Sequence, residues 1–162
     1  MILVTTGTQE PFDRLIKAID EMAPRLNGQQ IIAQCTTSQY KVKNIELTGM
    51  LPPKEFDTLM DQADLIVGHA GMGTIISALV RRKPLLVMPR LLRLKEHRND
   101  HQMATAKKMA AMGYVEVAFD EKELVQQLPL VLKNTAVKNI DIETLAAPEL
   151  IGSLREFILR GK

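Results

Sequence analysis

Two short stretches of this sequence carry the residue types that bind ligands in α/β proteins. The first, Gly68 to Thr74, is Gly-His-Ala-Gly-Met-Gly-Thr and follows the apolar run Leu65 to Val67. The second follows the apolar run Leu85 to Met88 and ends in the polar sequence His-Arg-Asn-Asp-His-Gln, from His97 to Gln102. Open parallel sheets bind their ligands in loops at the carboxyl ends of strands. We therefore predict the functional site in these two loops.

The glycine-rich loop is expected to open a helix whose first N–H groups can hold phosphate. Gly71 and Gly73 let the backbone approach a ligand closely, and Thr74 follows at the expected helix start. A second glycine turn, at Gly7, ends the first apolar run, and it would face the first loop if the two strands are neighbours. The alternative is that these glycines only make tight turns between strands and helices.

Three histidines and two arginines could add chemistry to this crevice. His69 follows a strand and could act as a general base or an electrophilic contact near its ordinary pKa, or simply bond to backbone. His97 and His101 are four residues apart and could share a helix face, so zinc has to be considered. The Glu of the H-E-x-x-H motif and a third ligand are missing, so we expect no metal. Arg90 or Arg98 opposite a diphosphate is chemically more natural.

Two common nucleotide-binding motifs do not fit this sequence. Gly71-Met72-Gly73 lacks the third glycine of the dinucleotide-binding G-x-G-x-x-G motif, and Pro89-Arg90 stands where its acidic ribose ligand is expected. The Walker A motif is also absent. We therefore expect no nicotinamide cofactor and, more generally, no cofactor.

The pattern of apolar runs and helical periodicities predicts alternating strands and helices. The predicted strands span residues 2–5, 30–35, 45–48, 65–67, 85–88 and 114–118, and the predicted helices span 10–26, 54–62, 75–82, 99–112 and 120–132. This alternation predicts an α/β fold with a doubly wound, Rossmann-like parallel sheet. Residues 1–132 form the expected ligand-binding domain. Residues 133–162 form a connector and a last helix, which docks on its own domain or on a partner.

Composition excludes some functional classes. The chain has 162 residues, 46% hydrophobic and 25% charged, and its net charge of +2 is too small to argue for nucleic acid binding. Its single cysteine, Cys35, rules out an intramolecular disulfide framework and fits a reducing compartment. No signal-peptide pattern and no uncharged apolar run of about 18 residues occurs, so we expect no membrane span.

The motifs, taken in order, resemble the C-terminal half of glycosyltransferase family 28, which has the GT-B architecture. The resemblance covers roughly residues 1 to 130. It rests on the first strand leading into Gly7-Thr8, on His69-Ala70-Gly71-x-Gly73-Thr74, on Lys83-Pro84 before a strand ending in Met88-Pro89, and on His97 to Gln102. The sequences of these motifs most resemble those of the stand-alone subunits of two-part enzymes.

The resemblance implies residues for binding a UDP-sugar donor. In the family, the loop after the first strand and the His-Ala-Gly segment surround the diphosphate, the Thr at position 74 contacts phosphate, and polar groups at 101 and 102 reach the sugar. The loop after the third strand holds uracil through its backbone. In this chain the implied donor-binding residues are Gly7, Thr8, Gly49, Met50, Gly71, Met72, Gly73, Thr74, Arg90, His97, Arg98, His101 and Gln102. Ser77 stands where longer members carry a ribose-binding Glu.

The resemblance also implies an activity and partners. It implies metal-independent, inverting transfer from a UDP-sugar to a lipid-linked polyprenyl diphosphate sugar, at the cytoplasmic face of a membrane, in exopolysaccharide or capsule biosynthesis or in the dolichol pathway. A membrane-anchored partner would supply the acceptor half, and the isolated chain could form a homo-oligomer. His69 or a residue of the partner would be the base. The alternative is a sugar-nucleotide-binding regulatory subunit without its own chemistry.

Overall fold

The structure, a computed structural model, describes residues 1–134 of the chain. Its strands and helices follow one another as the apolar pattern predicts. They are β1 (Ile2–Thr5), α1 (Asp13–Met22), β2 (Ile31–Gln34), β3 (Glu46–Thr48), α2 (Pro53–Gln62), β4 (Leu65–His69), α3 (Met72–Val80), β5 (Leu85–Met88), α4 (His101–Ala111), β6 (Glu116–Val117) and α5 (Glu121–Lys133). Single 3-10 turns lie at Ala23–Arg25 and Leu92–Leu94.

The six strands form one parallel sheet in the order β3-β2-β1-β4-β5-β6. This doubly wound, Rossmann-like arrangement confirms the predicted fold class. β1 lies between β2 and β4, with Ile2 opposite both Ile31 and Leu65. The strand order therefore reverses at β1 and β4, and their carboxyl ends form the topological switch point where such sheets bind ligands.

Alternation along the strands produces two hydrophobic cores, one on each face of the sheet. Ile2 and Val4 of β1 pack with α1 and α5, whereas Leu3 between them packs with α2, α3 and α4. The neighbouring strand β4 divides in the same way, with Val67 in the first core and Ile66 in the second. A sheet buried on both faces requires apolar residues at successive positions, which explains the continuous apolar runs in the sequence.

Several helix boundaries differ from those predicted. The helix predicted from residue 10 begins at Asp13, because residues 6–11 form a loop whose carbonyls at Thr6, Glu10 and Pro11 accept hydrogen bonds from Arg90. The helix predicted from residue 75 begins at Met72, and it ends at Val80 because Arg82 adopts a left-handed conformation with φ of 52°. At the start of α5 the N-cap residue Asp120 accepts the Glu123 N–H, and Glu123 accepts the N–H of Phe119, the residue before the cap.

The C-terminal connector and helix were predicted at residues 133–162. From position 135 onward, this segment lies outside the described residues. Within the described part, α5 continues to Lys133. Of the helices between residues 1 and 134, none combines the length and apolar character that crossing a membrane requires.

Candidate functional site

A cavity of about 530 Å³ lies at the switch point between the ends of β1 and β4. This volume is in the range of small-molecule binding sites in proteins. Its walls come from four parts of the chain: the loop after β1, the end of β2 with the loop after β3, the turn from β4 into α3, and the loop from β5 to α4. The two loops singled out in the sequence therefore meet in one pocket.

The imidazole of His69 lies between Gly7 and Gly71 and lines this pocket. A Cβ atom at Gly71 would lie 2.2 Å from His69 Nε2, and one at Gly7 would lie 2.7 Å from His69 Cε1. Gly7 also has a φ of +76°, which L side chains rarely adopt. Both glycines are therefore required by the protein's own histidine, in addition to any role in turns or in ligand approach.

The environment of His69 changes its acidity. Burial and the nearby charge of Arg90 lower the pKa of His69 from its ordinary 6.5 to about 4. A hydrogen bond with the Thr5 backbone raises this pKa, but by less. The expectation that His69 titrates near its ordinary pKa is therefore wrong. At neutral pH the ring is uncharged and can accept a proton.

The amino terminus of α3 opens into the same pocket. The first helical hydrogen bond runs from Ile75 N–H to the Gly71 carbonyl (3.0 Å), so the N–H groups of Met72, Gly73 and Thr74 have no acceptor within the helix. Gly73 and Thr74 line the pocket, and a Cβ atom at Gly73 would meet nothing within 4 Å. Free N–H groups and the positive end of the helix dipole make this terminus suited to an anion.

Arg90 lines the pocket and holds the loop after β1. Its guanidinium donates to the carbonyls of Thr6 (2.7 Å), Pro11 (2.7 Å) and Glu96 (3.1 Å), and also to that of Glu10. The side chain is buried, and among residues 1–134 it forms no ion pair with a carboxylate. Its positive charge is therefore hydrogen-bonded but not neutralised by direct contact.

The opposite wall of the pocket is mainly apolar. Met50, Leu51 and Phe56 line it together with the buried amide of Gln34. Gln34 Oε1 accepts the Thr5 hydroxyl (2.9 Å), and its Nε2 lies 3.3 Å from Met50 Sδ. This wall joins the ends of β1 and β2 to the loop after β3, and its apolar side chains suit a ring or a base.

The pocket brings together ten of the residues selected from the sequence and leaves out five. Those that line it are Gly7, Thr8, Met50, His69, Gly73, Thr74, Ser77, Arg90, His97 and Gln102. Those that do not are Gly49, Gly71, Met72, Arg98 and His101. Gly71 instead makes room for His69, and Arg98 and His101 are exposed. Donor binding by each of these residues remains a prediction.

The expectation that His97 and His101 could share a helix face is wrong. α4 begins at His101, and His97 lies in the loop before it. His97 lines the pocket, and its Nδ1 is buried without a hydrogen-bond partner in the described part of the chain. Across residues 1–134, no group of three or more His, Cys, Asp or Glu residues is placed to hold a metal ion.

Sequence reasoning missed several parts of the site. The pocket-lining residues that lie outside the loops it singled out are Thr5, Gln9, Glu10, Gln34, Pro53 and Phe56. Thr5 and Gln34 end neighbouring strands of the sheet, so their positions could have been inferred once the strand order was assumed. The residues that hold the pocket walls, Arg14 and Glu96, are far apart in sequence and gave no local signal.

Comparisons with known proteins identify the domain type. The sequence profile of the Glycosyltransferase family 28 C-terminal domain matches residues 1–147. The UDP-N-acetylglucosamine transferase subunit ALG13 of Eremothecium gossypii is 25% identical over 116 residues, covering 71% of this chain and 55% of that protein. The chain thus spans about half the length of this relative.

Solved structures show the same fold. The NMR solution structure of ALG13 has a TM-score of 0.56 at 20% sequence identity and covers 94% of this chain and 93% of that chain. Spinosyn forosaminyltransferase SpnP has a TM-score of 0.65 at 18% identity and covers 97% of this chain and 43% of that chain. At these identities the similarity shows the shared fold.

Proposed function

The chain belongs to glycosyltransferase family 28 as a C-terminal domain of that family, and on this premise we propose that it is the catalytic, donor-binding subunit of a two-part glycosyltransferase. The donor is a UDP-sugar and the acceptor is a sugar linked to a polyprenyl diphosphate. The similarity to a protein named as a UDP-N-acetylglucosamine transferase subunit supports both the uridine nucleotide and the division into subunits. The product belongs to polysaccharide biosynthesis, as an exopolysaccharide or a capsule.

The observation that carries this proposal is the anion site at the switch point. The amino terminus of α3 offers N–H groups at Gly73 and Thr74, and the buried Arg90 lines the same cavity. A diphosphate placed there would receive hydrogen bonds and a positive potential from the protein alone. The apolar wall at Met50, Leu51 and Phe56 would accommodate the base or the sugar ring.

These groups support an inverting transfer that needs no metal. An acceptor hydroxyl attacks the anomeric carbon, the bond from that carbon to the diphosphate oxygen breaks, and UDP leaves with the negative charge. Helix N–H groups and Arg90 stabilise this charge as it develops. His69 is neutral at pH 7 and can accept the hydroxyl proton, although its low pKa makes it a weak base until nearby negative charge raises that pKa.

The acceptor half belongs to a membrane-anchored partner in this proposal. The chain acts at the cytoplasmic face of the membrane because its partner recruits it there. Residues 133–162 are the proposed docking segment, and they carry apolar residues at helical spacing, Leu154, Phe157 and Ile158. Lipid-linked acceptors require such recruitment because the acceptor cannot leave the bilayer surface.

Calorimetric titration of the chain with UDP, in the presence of a chelator, tests the donor site. We expect UDP to bind and NADP not to bind, with UDP affinity reduced about tenfold by Thr74→Ala, since one hydrogen bond to a charged group is lost. Thr58→Ala is the matched control, because Thr58 is an exposed residue of α2 that does not line the pocket. Absence of UDP binding both alone and with the co-expressed partner would contradict the proposal.

The low pKa of His69 gives weight to a second function, a donor-binding regulatory subunit whose partner performs the chemistry. Turnover by the assembled complex distinguishes the two functions. If the chain is catalytic through His69, His69→Ala should abolish turnover while UDP binding survives. Turnover within threefold of wild type would assign the base to the partner.

A further inference from the structure

Arg14, at the start of α1, connects three elements behind the pocket. Its Nε and Nη2 bond to the two carboxylate oxygens of Glu96 at 2.7 and 2.8 Å, a bidentate ion pair in which both side chains are 11% exposed. Nη2 also donates to the Pro89 carbonyl (3.0 Å), and Nη1 bonds to Glu121 of α5 (3.2 Å). None of these contacts lies in the pocket itself.

Glu96 lies between Arg14 and Arg90. Its carboxylate pairs with Arg14 and accepts the Leu91 N–H (3.0 Å), while its backbone carbonyl accepts from Arg90 Nη1 (3.1 Å). The two guanidiniums also lie 5.3 and 4.9 Å from the centroid of the Phe12 ring. Glu96 thus contacts both arginines, Arg14 through its carboxylate and Arg90 through its backbone carbonyl.

We propose that Arg14 is a positioning residue that holds the Glu96 carboxylate away from Arg90, so that the charge of Arg90 remains available to the anionic part of a nucleoside diphosphate. This inference rests on the proposed function. Arg14 does not touch the pocket, so it acts only through Glu96 and Arg90.

The physical reason is the distribution of charge among these three side chains. Without Arg14, the partly buried Glu96 carboxylate loses its two strongest hydrogen bonds, and burying it unpaired is costly. The neighbouring cation is Arg90, and burial lowers the pKa of Arg90 while Glu10 and Glu96 act in the opposite direction, as close carboxylates do. Glu96 would turn to Arg90 and neutralise the positive potential in the pocket.

The test compares UDP with uridine, which shares the base and ribose but lacks the diphosphate. Affinities of both ligands are measured by calorimetry for wild type and Arg14→Gln. We expect the ratio of UDP to uridine affinity to fall about tenfold in Arg14→Gln, while uridine affinity changes less than about twofold, since only the charged part of the ligand senses Arg90. General loosening of the pocket would weaken both ligands together.

Two further variants make the test specific. Arg14→Gln with Glu96→Gln removes both charges, so Arg90 is again unopposed, and the ratio should return to within about threefold of wild type. Lys17→Gln, an exposed cation one turn further along α1, changes the net charge equally and should leave the ratio unchanged. Arg14→Lys keeps the positive charge and should retain most of the ratio of UDP to uridine affinity. It can be measured if Arg14→Gln does not fold.

The outcomes separate the two proposals. An unchanged ratio in Arg14→Gln, or failure of the double variant to restore it, overturns the role of Arg14 while leaving the donor site intact. If wild-type protein binds neither UDP nor uridine, alone or with its partner, the proposed function fails and this inference fails with it.

Discussion

At the scale of single residues, the site depends on one imidazole placed between two backbones. Gly7 and Gly71 leave room for the His69 ring, whereas Gly73 faces open space at the start of α3. The three glycines therefore have different reasons to be glycine. Two are required by the folded protein itself, and the third has open space beside it in the pocket.

Alanine substitutions separate these roles. Gly71→Ala must displace the His69 ring, and we expect a loss of about 1 to 3 kcal/mol in the free energy of unfolding as well as weaker UDP binding. Gly73→Ala should leave stability unchanged or slightly higher, since alanine favours helix, yet weaken UDP binding at least about tenfold. Urea unfolding and calorimetry measure the two effects. Normal UDP binding by Gly73→Ala would contradict a close approach of the ligand to the backbone at Gly73.

His69 also predicts a pH dependence of stability. Its pKa is about 4 in the folded chain and about 6.5 when unfolded, so the unfolded state binds more protons between these values. Stability contributed by the neutral ring is full above pH 6.5 and is lost as pH falls towards 4. Between pH 7.5 and 4.5 the loss should be about 2 to 3 kcal/mol at most. In urea unfolding, His69→Gln should lose correspondingly less free energy of unfolding between these pH values than wild type. Equal losses in the two proteins would contradict the lowered pKa of His69.

At the scale of elements, α1 holds the loop between β2 and β3 through one buried carboxylate. Asp20 accepts the N–H groups of Lys43 (3.0 Å) and Asn44 (2.7 Å) and the hydroxyl of Tyr40 (2.9 Å). Burial alone would raise the pKa of Asp20, but these hydrogen bonds outweigh it and lower the pKa. The loop between β2 and β3, which leads towards the apolar wall of the pocket, is thereby fixed to α1.

Removing this carboxylate should cost stability without removing the site chemistry. Asp20→Ala leaves two backbone N–H groups unpaired, and we expect a loss of about 3 kcal/mol, against about 1 kcal/mol for Tyr40→Phe. Because the folded pKa is lowered, the contribution of Asp20 is present at neutral pH and is lost as pH falls through that pKa. Urea unfolding at pH 7 checks the order of the two variants, and equal losses would contradict it.

The sequence predicted the elements better than the contacts between them. β1 and β5 were predicted with their observed bounds because each is a continuous apolar run that ends close to a breaking residue, Gly7 after β1 and Pro84 and Pro89 around β5. The start of α3 was missed because Gly71, its N-cap, has extended φ and ψ angles and provides no side-chain cap to mark it. The pairing of Arg14 with Glu96 spans 82 residues and follows only from tertiary folding.

At the scale of the whole molecule, α3 presents an exposed apolar stripe. Met72, Ile76 and Val80 are four residues apart, lie on one helix face, and are 43%, 47% and 42% exposed. Exposed apolar surfaces of this kind favour association between copies of a chain purified alone.

Ile76→Lys should reduce this association. We expect a smaller concentration-dependent increase in sedimentation coefficient than in wild type, with unchanged UDP affinity because Ile76 does not line the pocket. Leu130→Lys changes an exposed apolar residue of α5 and serves as the control. Association that is equally strong in Ile76→Lys would place the contact elsewhere.

The position of β1 in the middle of the sheet has a consequence for folding. Its pairing with β4 joins residues 63 positions apart, and Arg90 closes the pocket by holding the Thr6 carbonyl across 84 positions. Such long loops are slow to close, and on the ribosome β1 cannot pair fully with β4 before Gly68 has emerged, nor can the Thr6 carbonyl bond before Arg90 has emerged. Ligand affinity should therefore develop late, because Arg90, His97 and Gln102 all line the pocket and are missing from a chain stopped before Arg90.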